Sequence, residues 1–253
     1  MGMRIAVGGK GGVGKTTLAA LIVRKLLAAG NTPILAVDAD PNTNLPEAVG
    51  LPLKATVGSI LAQFIDDKAS LSPGMTKESY LQLKMHEAVS EGRGVDLVAM
   101  GRGEGPGCYC YPNLILRKFV EELSANYPYV VIDNEAGMEH LSRRTSDRID
   151  RMILVSDATL RGIRSVRRIR GLIDELKLDV GRISLVIMRA DSSLPTVVRD
   201  EVQVCGIPLA GTVPLDLRVQ DFDLTMRPLT ELPADSPSVM ALDAIFEVLA
   251  IPG

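Results

Sequence analysis

The stretch GGKGGVGKTTLAALIV, residues 8–23, carries the most informative pattern in the chain. Gly9, Gly14, Lys15 and Thr16 complete G-x-x-x-x-G-K-[ST], directly after a predicted strand and directly before a predicted helix. In that context glycines let backbone N–H groups converge on phosphate oxygens, the lysine neutralises the β- and γ-oxygens, and the hydroxyl binds Mg²⁺. The sequence therefore predicts contacts to a nucleoside triphosphate from Gly9, Gly11, Gly12, Val13, Gly14, Lys15, Thr16 and Thr17.

Seven short apolar runs alternate with stretches in which leucine, isoleucine and valine recur at helical spacing. The runs lie at 4–9, 33–38, 95–101, 129–134, 151–156, 183–188 and 209–214. Such runs are typical of strands buried on both faces, and their alternation with helices predicts a doubly wound, mainly parallel α/β sheet flanked by helices. Because the strand rhythm lapses after Leu51, we expect one domain over 1–253 with an inserted helical region at about 51–94.

The composition favours one sizeable apolar core in a cytoplasmic protein. The 253 residues are 46% hydrophobic, and a net charge of −3 gives no global attraction to nucleic acid or anionic lipid. No apolar run approaches the roughly 20 residues of a membrane span, and no secretory signal precedes the glycine-rich stretch. Three cysteines make no disulfide framework in a chain of this size, so we expect reduced thiols.

Lys10 narrows the interpretation of the glycine-rich stretch. A second lysine early in the loop, in K-G-G-x-G-K-T-T, resembles the deviant Walker A family of MinD, ParA, the nitrogenase iron protein and metal-insertion ATPases. The resemblance implies a P-loop ATPase in which Lys10 and Lys15 are catalytic. In that family the first lysine reaches the partner's nucleotide across a two-fold axis, as an arginine finger does. We therefore expect an ATP-dependent homodimer; a solvated loop lysine is the plainer alternative.

Two aspartates follow the second predicted strand, and a third closes the fourth. Asp38 and Asp40 lie in VDADPNTNL, residues 37–45, and Asp133 ends the apolar run VVID. By resemblance to the family, Asp40 orients or deprotonates the attacking water, Asp38 supports Mg²⁺, and Asp133 holds Mg²⁺ through water. Gly137 resembles the glycine whose N–H senses the γ-phosphate. Helix capping is the plainer alternative for the first two aspartates.

The segment expected to bind the nucleotide base departs from the family pattern. Relatives usually carry an asparagine after the strand ISLVI, where this chain has Met188 in the segment MRAD. Asp191 in that segment suits the guanine-reading pattern N-K-x-D, so GTP remains an alternative to ATP. The segment TVPLDL, residues 212–217, resembles the family's adenine-contacting loop. We expect ATP, with Met188 and Pro214 among its contacts.

Two cysteines one residue apart stand in GPGCYCYPN, residues 105–113. Cys108 and Cys110 can chelate one soft ion, but a closed thiolate site usually takes four ligands. By resemblance this loop lies where the family dimerises, so two chains would share one Cys₄ site for Ni²⁺ or Zn²⁺. Ala136 stands where the nitrogenase iron protein has its second cluster cysteine, which argues against a nitrogenase-type [4Fe–4S] bridge.

The cysteine pair in GRGEGPGCYC, followed by DNEAGMEHL, resembles the CooC-type ATPases that assist nickel insertion into carbon monoxide dehydrogenase, and a relative that serves acetyl-CoA synthase. The resemblance implies a homodimeric metallochaperone that releases its ion to a client nickel enzyme. An Fe–S cluster carrier and accidental free thiols are the alternatives. We expect Cys205 to be a core residue and His140 a structural histidine.

A basic helix face supplies the main rival interpretation. In RGIRSVRRIRGLIDELK, residues 161–177, apolar residues recur at helical spacing on one face, and Arg161, Arg164, Arg167 and Arg168 lie on the other. A partition-type ATPase would bind DNA with such a row, and a metal-insertion ATPase would dock an acidic client; a solvated face is the plainer alternative. The stretch SVMALDAIFEVLAIPG lacks the basic amphipathic character of a septum regulator's membrane helix, so we expect no membrane partner.

Overall fold

An eight-stranded sheet runs through the part of the chain that the computed structural model describes, residues 2–66, 76–101, 119–136 and 148–252. Its strands are β1 (Met3–Gly9), β2 (Ile34–Ala39), β3 (Ser90–Glu91), β4 (Val95–Ala99), β5 (Tyr129–Asn134), β6 (Arg148–Asp157), β7 (Asp179–Met188) and β8 (Leu209–Val213). Their order is β3-β4-β2-β5-β1-β6-β7-β8. All neighbours in this sheet are parallel except β3 and β4.

Helices cover both faces of the sheet. They are α1 (Lys15–Ala28), α2 (Leu45–Val49), α3 (Val57–Asp66), α4 (Lys77–Glu87), α5 (Leu160–Glu175), α6 (Thr196–Cys205), α7 (Leu217–Leu224) and α8 (Pro237–Leu249), with a 3₁₀ turn at Leu229–Glu231 and helical residues at 119–124. One apolar cluster unites α1 and α8 through residues such as Leu21 and Phe246. A second unites α3, α4 and α5 through residues such as Leu81 and Ile163. The predicted doubly wound α/β fold is confirmed.

Successive residues of β1 point to opposite faces of the sheet. Ile5 and Val7 belong to the cluster with α1, Ala6 belongs to the cluster with α5, and all three are fully buried. Because both faces are covered, the strand stands in the sequence as an unbroken apolar run. All seven runs coincide with strands. The run at 129–134 has the bounds of β5, whereas β6 and β7 begin three and four residues before their predicted runs, and the other strands differ at their ends by one or two residues. The two-residue β3 is an addition too short to leave a pattern.

The strand order gathers three chemically active segments at one edge. β1 lies between β5 and β6. The chain runs from β1 to β2 on one side of it and from β5 to β6 on the other side, so the strand order reverses at β1. Ligands bind at such a reversal in sheets of this type. Asp38 at the end of β2 is the register partner of Asp133 at the end of β5, and Asp133 is the partner of Val7 in β1. Both aspartates therefore lie beside the segment that follows β1.

The described residues between 51 and 94 form α3, α4 and β3. Thr56 bridges to Ala99, and the Gly58 N–H donates to the Met100 carbonyl at 2.8 Å, so the start of α3 lies beside the end of β4. The status of this region as an insertion, and the single-domain organisation, stay predictions. Within the described ranges, no helix combines the length and apolar character needed to cross a bilayer.

Asp216 joins the start of α7 to the start of α8. One carboxylate oxygen accepts the Arg218 N–H at 2.9 Å, and the other accepts the Ser238 N–H at 3.0 Å and both the Ser236 and Ser238 hydroxyls. The residue is 5% exposed. Burial alone raises the pKa of Asp216, but the hydrogen bonds from Ser236, Ser238 and Arg218 outweigh burial and hold the pKa below its usual range.

We expect Asp216→Asn to lower the free energy of unfolding by about 1.5–3 kcal/mol, the range for hydrogen bonds to a charged group. Because the folded-state pKa is depressed, this stabilisation is fully present above the unfolded pKa of about 4 and is lost as the pH falls through the folded pKa. Urea unfolding near pH 7 and near pH 3 measures it, and the difference between wild type and variant should shrink at the lower pH.

The matched control is Asp235→Asn, which removes only an exposed ion pair with Arg218. Its unfolding midpoint should stay close to that of the wild type. Equal shifts in the two variants would contradict the structural role of Asp216.

Candidate functional site

The P-loop joins β1 to α1 in a turn that requires glycine at both ends. A Cβ on Gly9 would lie 2.5 Å from the Val155 carbonyl oxygen of β6, so no side chain fits there. Gly14 caps α1 in the left-handed region with φ 99°. Lys15 and Thr16 are then the first two residues of α1. The helix N-terminus, with its N–H groups and partial positive charge, is thus directed at the turn, as anion binding requires.

The two P-loop lysines differ in their exposure. Lys15 is 7% exposed, and its Nζ donates to the Lys10 carbonyl oxygen at 3.5 Å. The Lys10 side chain is exposed. Lys15 therefore lies inside its own site, whereas Lys10 is accessible to another molecule.

Asp133 and Thr16 meet at the carboxyl end of β5. The Thr16 hydroxyl donates to Asp133 Oδ2 at 2.5 Å, while Oδ1 is buried with no hydrogen-bond partner among the residues that the structure describes. Burial, together with the charges of Asp38 and Asp40, raises the pKa of Asp133 to about 7, although the Thr16 hydrogen bond and the charge of Lys15 act in the opposite direction. A buried carboxylate with one lone oxygen, beside a hydroxyl, fits Mg²⁺, which takes hard oxygen ligands and keeps several waters.

Asp38 shapes the loop that carries Asp40. Its two oxygens accept the Asp40 N–H at 3.0 Å and the Leu45 N–H at 2.9 Å, and the residue is fully buried. Burial, with a smaller contribution from the charge of Asp40, raises the pKa of Asp38 to about 6, although the two backbone hydrogen bonds act in the opposite direction. Leu45 is the first residue of α2, so Asp38 accepts an N–H at the start of this helix, as the helix-capping alternative expects. Asp40 is half-buried, and its Oδ1 accepts the Asn42 N–H at 2.9 Å.

The ends of β7 and β8 also reach the P-loop. Met188 is 4% exposed, and its Cε lies 3.4 Å from the position of a Cβ on Gly14. Pro214 directly follows β8 and is half-buried. The structure thus brings the predicted Met188 to the phosphate-binding turn; its contact with a base, and that of Pro214, stay predictions. Asp191 is exposed.

Two residues of this site escaped the sequence prediction. Asn134 is fully buried, and its Nδ2 donates to the Val7 carbonyl at 2.8 Å, tying β5 to the strand before the P-loop. The Arg189 guanidinium donates to the Gly12 carbonyl at 2.8 Å. The only sequence signal for either was its place directly after an aspartate or methionine at a strand end.

Four predicted residues lie outside the described residues: Cys108, Cys110, Gly137 and His140. The chain enters the segment with the cysteine pair after Gly101, and the Met100 N–H just before it donates to the Asp38 carbonyl at 2.8 Å. Cys205 is half-buried against the second apolar cluster, and burial raises the pKa of its thiol.

The amphipathic pattern of α5 is confirmed. The residues buried on its inner face include Ile163, Val166, Ile169 and Ile173. Arg161, Arg164, Arg167 and Arg168 are exposed on the other side. Arg164 donates to both carboxylate oxygens of Glu201 on α6, at 3.1 and 3.0 Å, so part of this basic row is already neutralised.

Comparison with known proteins shows the family of the chain. The family model of the CobQ/CobB/MinD/ParA nucleotide binding domain matches residues 5–229. An uncharacterised ATP-binding protein of Methanocaldococcus jannaschii is 39% identical over 247 residues, 97% of each chain. The carbon monoxide dehydrogenase accessory protein CooC of Rhodospirillum rubrum is 27% identical over 246 residues, 87% of each chain.

Among solved structures, the septum site-determining protein MinD of Pyrococcus horikoshii, complexed with Mg-ADP, superposes with a TM-score of 0.70 at 18% identity, covering 98% of this chain and 95% of that one. This likeness concerns the fold. The family match and the P-loop together identify the chain as a P-loop ATPase that belongs to the CobQ/CobB/MinD/ParA nucleotide-binding family.

Proposed function

We propose that this ATPase is a homodimeric maturation factor that carries Ni²⁺ or Zn²⁺ on Cys108 and Cys110 and delivers nickel to a client enzyme, carbon monoxide dehydrogenase or acetyl-CoA synthase. The observation that carries the proposal is the cysteine pair in the sequence that follows Gly101, because Met100, just before it, donates its N–H to the carbonyl of Asp38. The similarity to a carbon monoxide dehydrogenase accessory protein over 87% of both chains supports the choice of client.

The nucleotide chemistry rests on residues at the ends of β1, β2 and β5. Lys15 neutralises the β- and γ-phosphate oxygens from inside the turn, and Asp40 orients or deprotonates the attacking water. Thr16 and Asp133 would hold Mg²⁺, Asp133 through water, and the ion when bound supplies charge neutralisation at the phosphates. Asp38 keeps Asp40 in place through the two backbone N–H groups it accepts.

Dimer formation would complete the site. The exposure of Lys10 suits a residue whose ammonium group acts on the nucleotide of a second chain. The same two-fold axis would bring four thiolates together, as a closed site for a soft cation requires.

Nucleotide state would reach the cysteines through the end of β4. Asp38 accepts the N–H groups of the loop with Asp40, and its own carbonyl accepts the Met100 N–H at 2.8 Å. A change in this loop on hydrolysis therefore pulls on the residue just before the segment with the cysteine pair. This link gives hydrolysis a route to release of the ion.

We expect Lys10→Ala and Lys15→Ala to fail at different steps. Lys10→Ala should bind ATP with nearly the wild-type dissociation constant but hydrolyse it about a thousandfold more slowly, as loss of an arginine finger does. Lys15→Ala should lose nucleotide binding itself. Titration with labelled ATP measures the dissociation constant, and phosphate release measures the hydrolysis rate. A Lys10→Ala variant that hydrolyses ATP at the wild-type rate would contradict the action of Lys10 on a partner.

We expect the purified protein to hold about one divalent metal ion per two chains, because four thiolates close one site. Cys108→Ser/Cys110→Ser should lose the metal yet still bind ATP. Elemental analysis with and without ATP measures the content, and Cys205→Ser, outside the pair, is the matched control and should keep it. Full metal content in the double variant would contradict the proposal.

The same sample separates the alternatives. A ParA-like partition ATPase would bind duplex DNA through the exposed arginines of α5 with an affinity that falls steeply as salt rises. An Fe–S carrier would contain iron and acid-labile sulfide instead of nickel or zinc. Preference for GTP in the ATP titration would assign the base-reading role to Asp191.

A further inference from the structure

The end of β7 holds the P-loop through two consecutive side chains. Met188 packs against Gly14, and the Arg189 Nη2 donates to the Gly12 carbonyl at 2.8 Å, across 177 residues of sequence. Arg189 belongs neither to the G-x-x-x-x-G-K-[ST] pattern nor to the segment around Lys10. The P-loop is therefore held by a side chain from outside its own sequence.

The backbone of Arg189 is held in an unfavourable conformation. Its φ is 54°, in the left-handed region, which only a few per cent of non-glycine residues adopt. The backbone is fixed on both sides, because Met188 pairs with Val213 of β8 and the Ala190 N–H donates to the Val213 carbonyl at 3.1 Å. Residues held in this way cluster at functional sites. Arg189 directly follows β7, and in this conformation its guanidinium contacts the P-loop.

The geometry of one peptide bond gives this contact a function. The peptide between Gly12 and Val13 is planar and trans, so its carbonyl and its N–H point in opposite directions. A guanidinium that holds the Gly12 carbonyl thereby fixes the direction of the Val13 N–H, and the Val13 side chain is itself buried at 3% exposure. P-loops bind phosphate through converging backbone N–H groups of this kind.

We propose that Arg189 is a positioning residue for nucleotide binding, which holds the Gly12 carbonyl and so aims the Val13 N–H at the phosphates. A charged donor makes this hydrogen bond stronger than a neutral one would. The inference rests on the ATPase activity of the family alone. It is independent of the cysteine pair and of dimer formation.

The test uses two variants, Arg189→Ala and Arg189→Lys, and two probes, Mg-ATP and inorganic tripolyphosphate. Arg189→Ala should weaken the binding of both probes by about tenfold or more and by similar factors, because the phosphate cradle is common to them. Arg189→Lys, whose ammonium can reach the same carbonyl, should recover most of the loss. Amide hydrogen exchange at Val13 in the nucleotide-bound protein should be faster in Arg189→Ala.

The matched control is Arg199→Ala, which removes the same charge from an exposed position on α6. It should bind both probes within about twofold of the wild type, and urea midpoints of all variants should agree, because these side chains are exposed. Wild-type binding by Arg189→Ala would overturn the proposal. A loss confined to ATP would also overturn it, since that result assigns Arg189 to the base.

Discussion

The nucleotide site depends on one buried carboxylate, that of Asp133 at the end of β5, which has almost no solvent contact. Burial of an ionised carboxylate is costly unless cations or donors surround it. Thr16 satisfies one oxygen, and the other has no partner among the described residues. Asp38, its register partner, adds a second buried carboxylate. Lys15 supplies one positive charge against these two buried carboxylates, so the site favours a divalent cation that arrives with the nucleotide.

The P-loop is held by the sheet on three sides. Asn134 of β5 donates to the Val7 carbonyl, Val155 of β6 packs closely on Gly9, and Arg189 beyond β7 donates to the Gly12 carbonyl. These contacts come from strands that follow β1 by more than a hundred residues in sequence, yet β5 and β6 flank β1 in the sheet and β7 is the next strand beyond β6. The conformation of the phosphate site therefore depends on the order of the strands as well as on the glycine-rich sequence of the P-loop.

Sequence patterns predict the features of this fold that depend on residues close together in the chain. Seven strands were found because strands covered on both faces are unbroken apolar runs, and the P-loop was found because its glycines and lysine are contiguous. The contacts of Asn134 and Arg189 could not be predicted, since each joins residues more than a hundred positions apart and depends on strand order. That Asp133 Oδ1 has no hydrogen-bond partner among the described residues could not be predicted either, because it follows from the packing around β5.

We propose that Thr16 and Asp133 form a preorganised site for the metal that accompanies ATP. A crystal structure with a non-hydrolysable ATP analogue and Mn²⁺, recorded at the manganese absorption edge, tests it directly. We expect one anomalous peak about 2 Å from the Thr16 hydroxyl oxygen, with Asp133 bound to the ion through water. A peak remote from both residues, with the nucleotide bound in the P-loop, would show that they do not hold the metal.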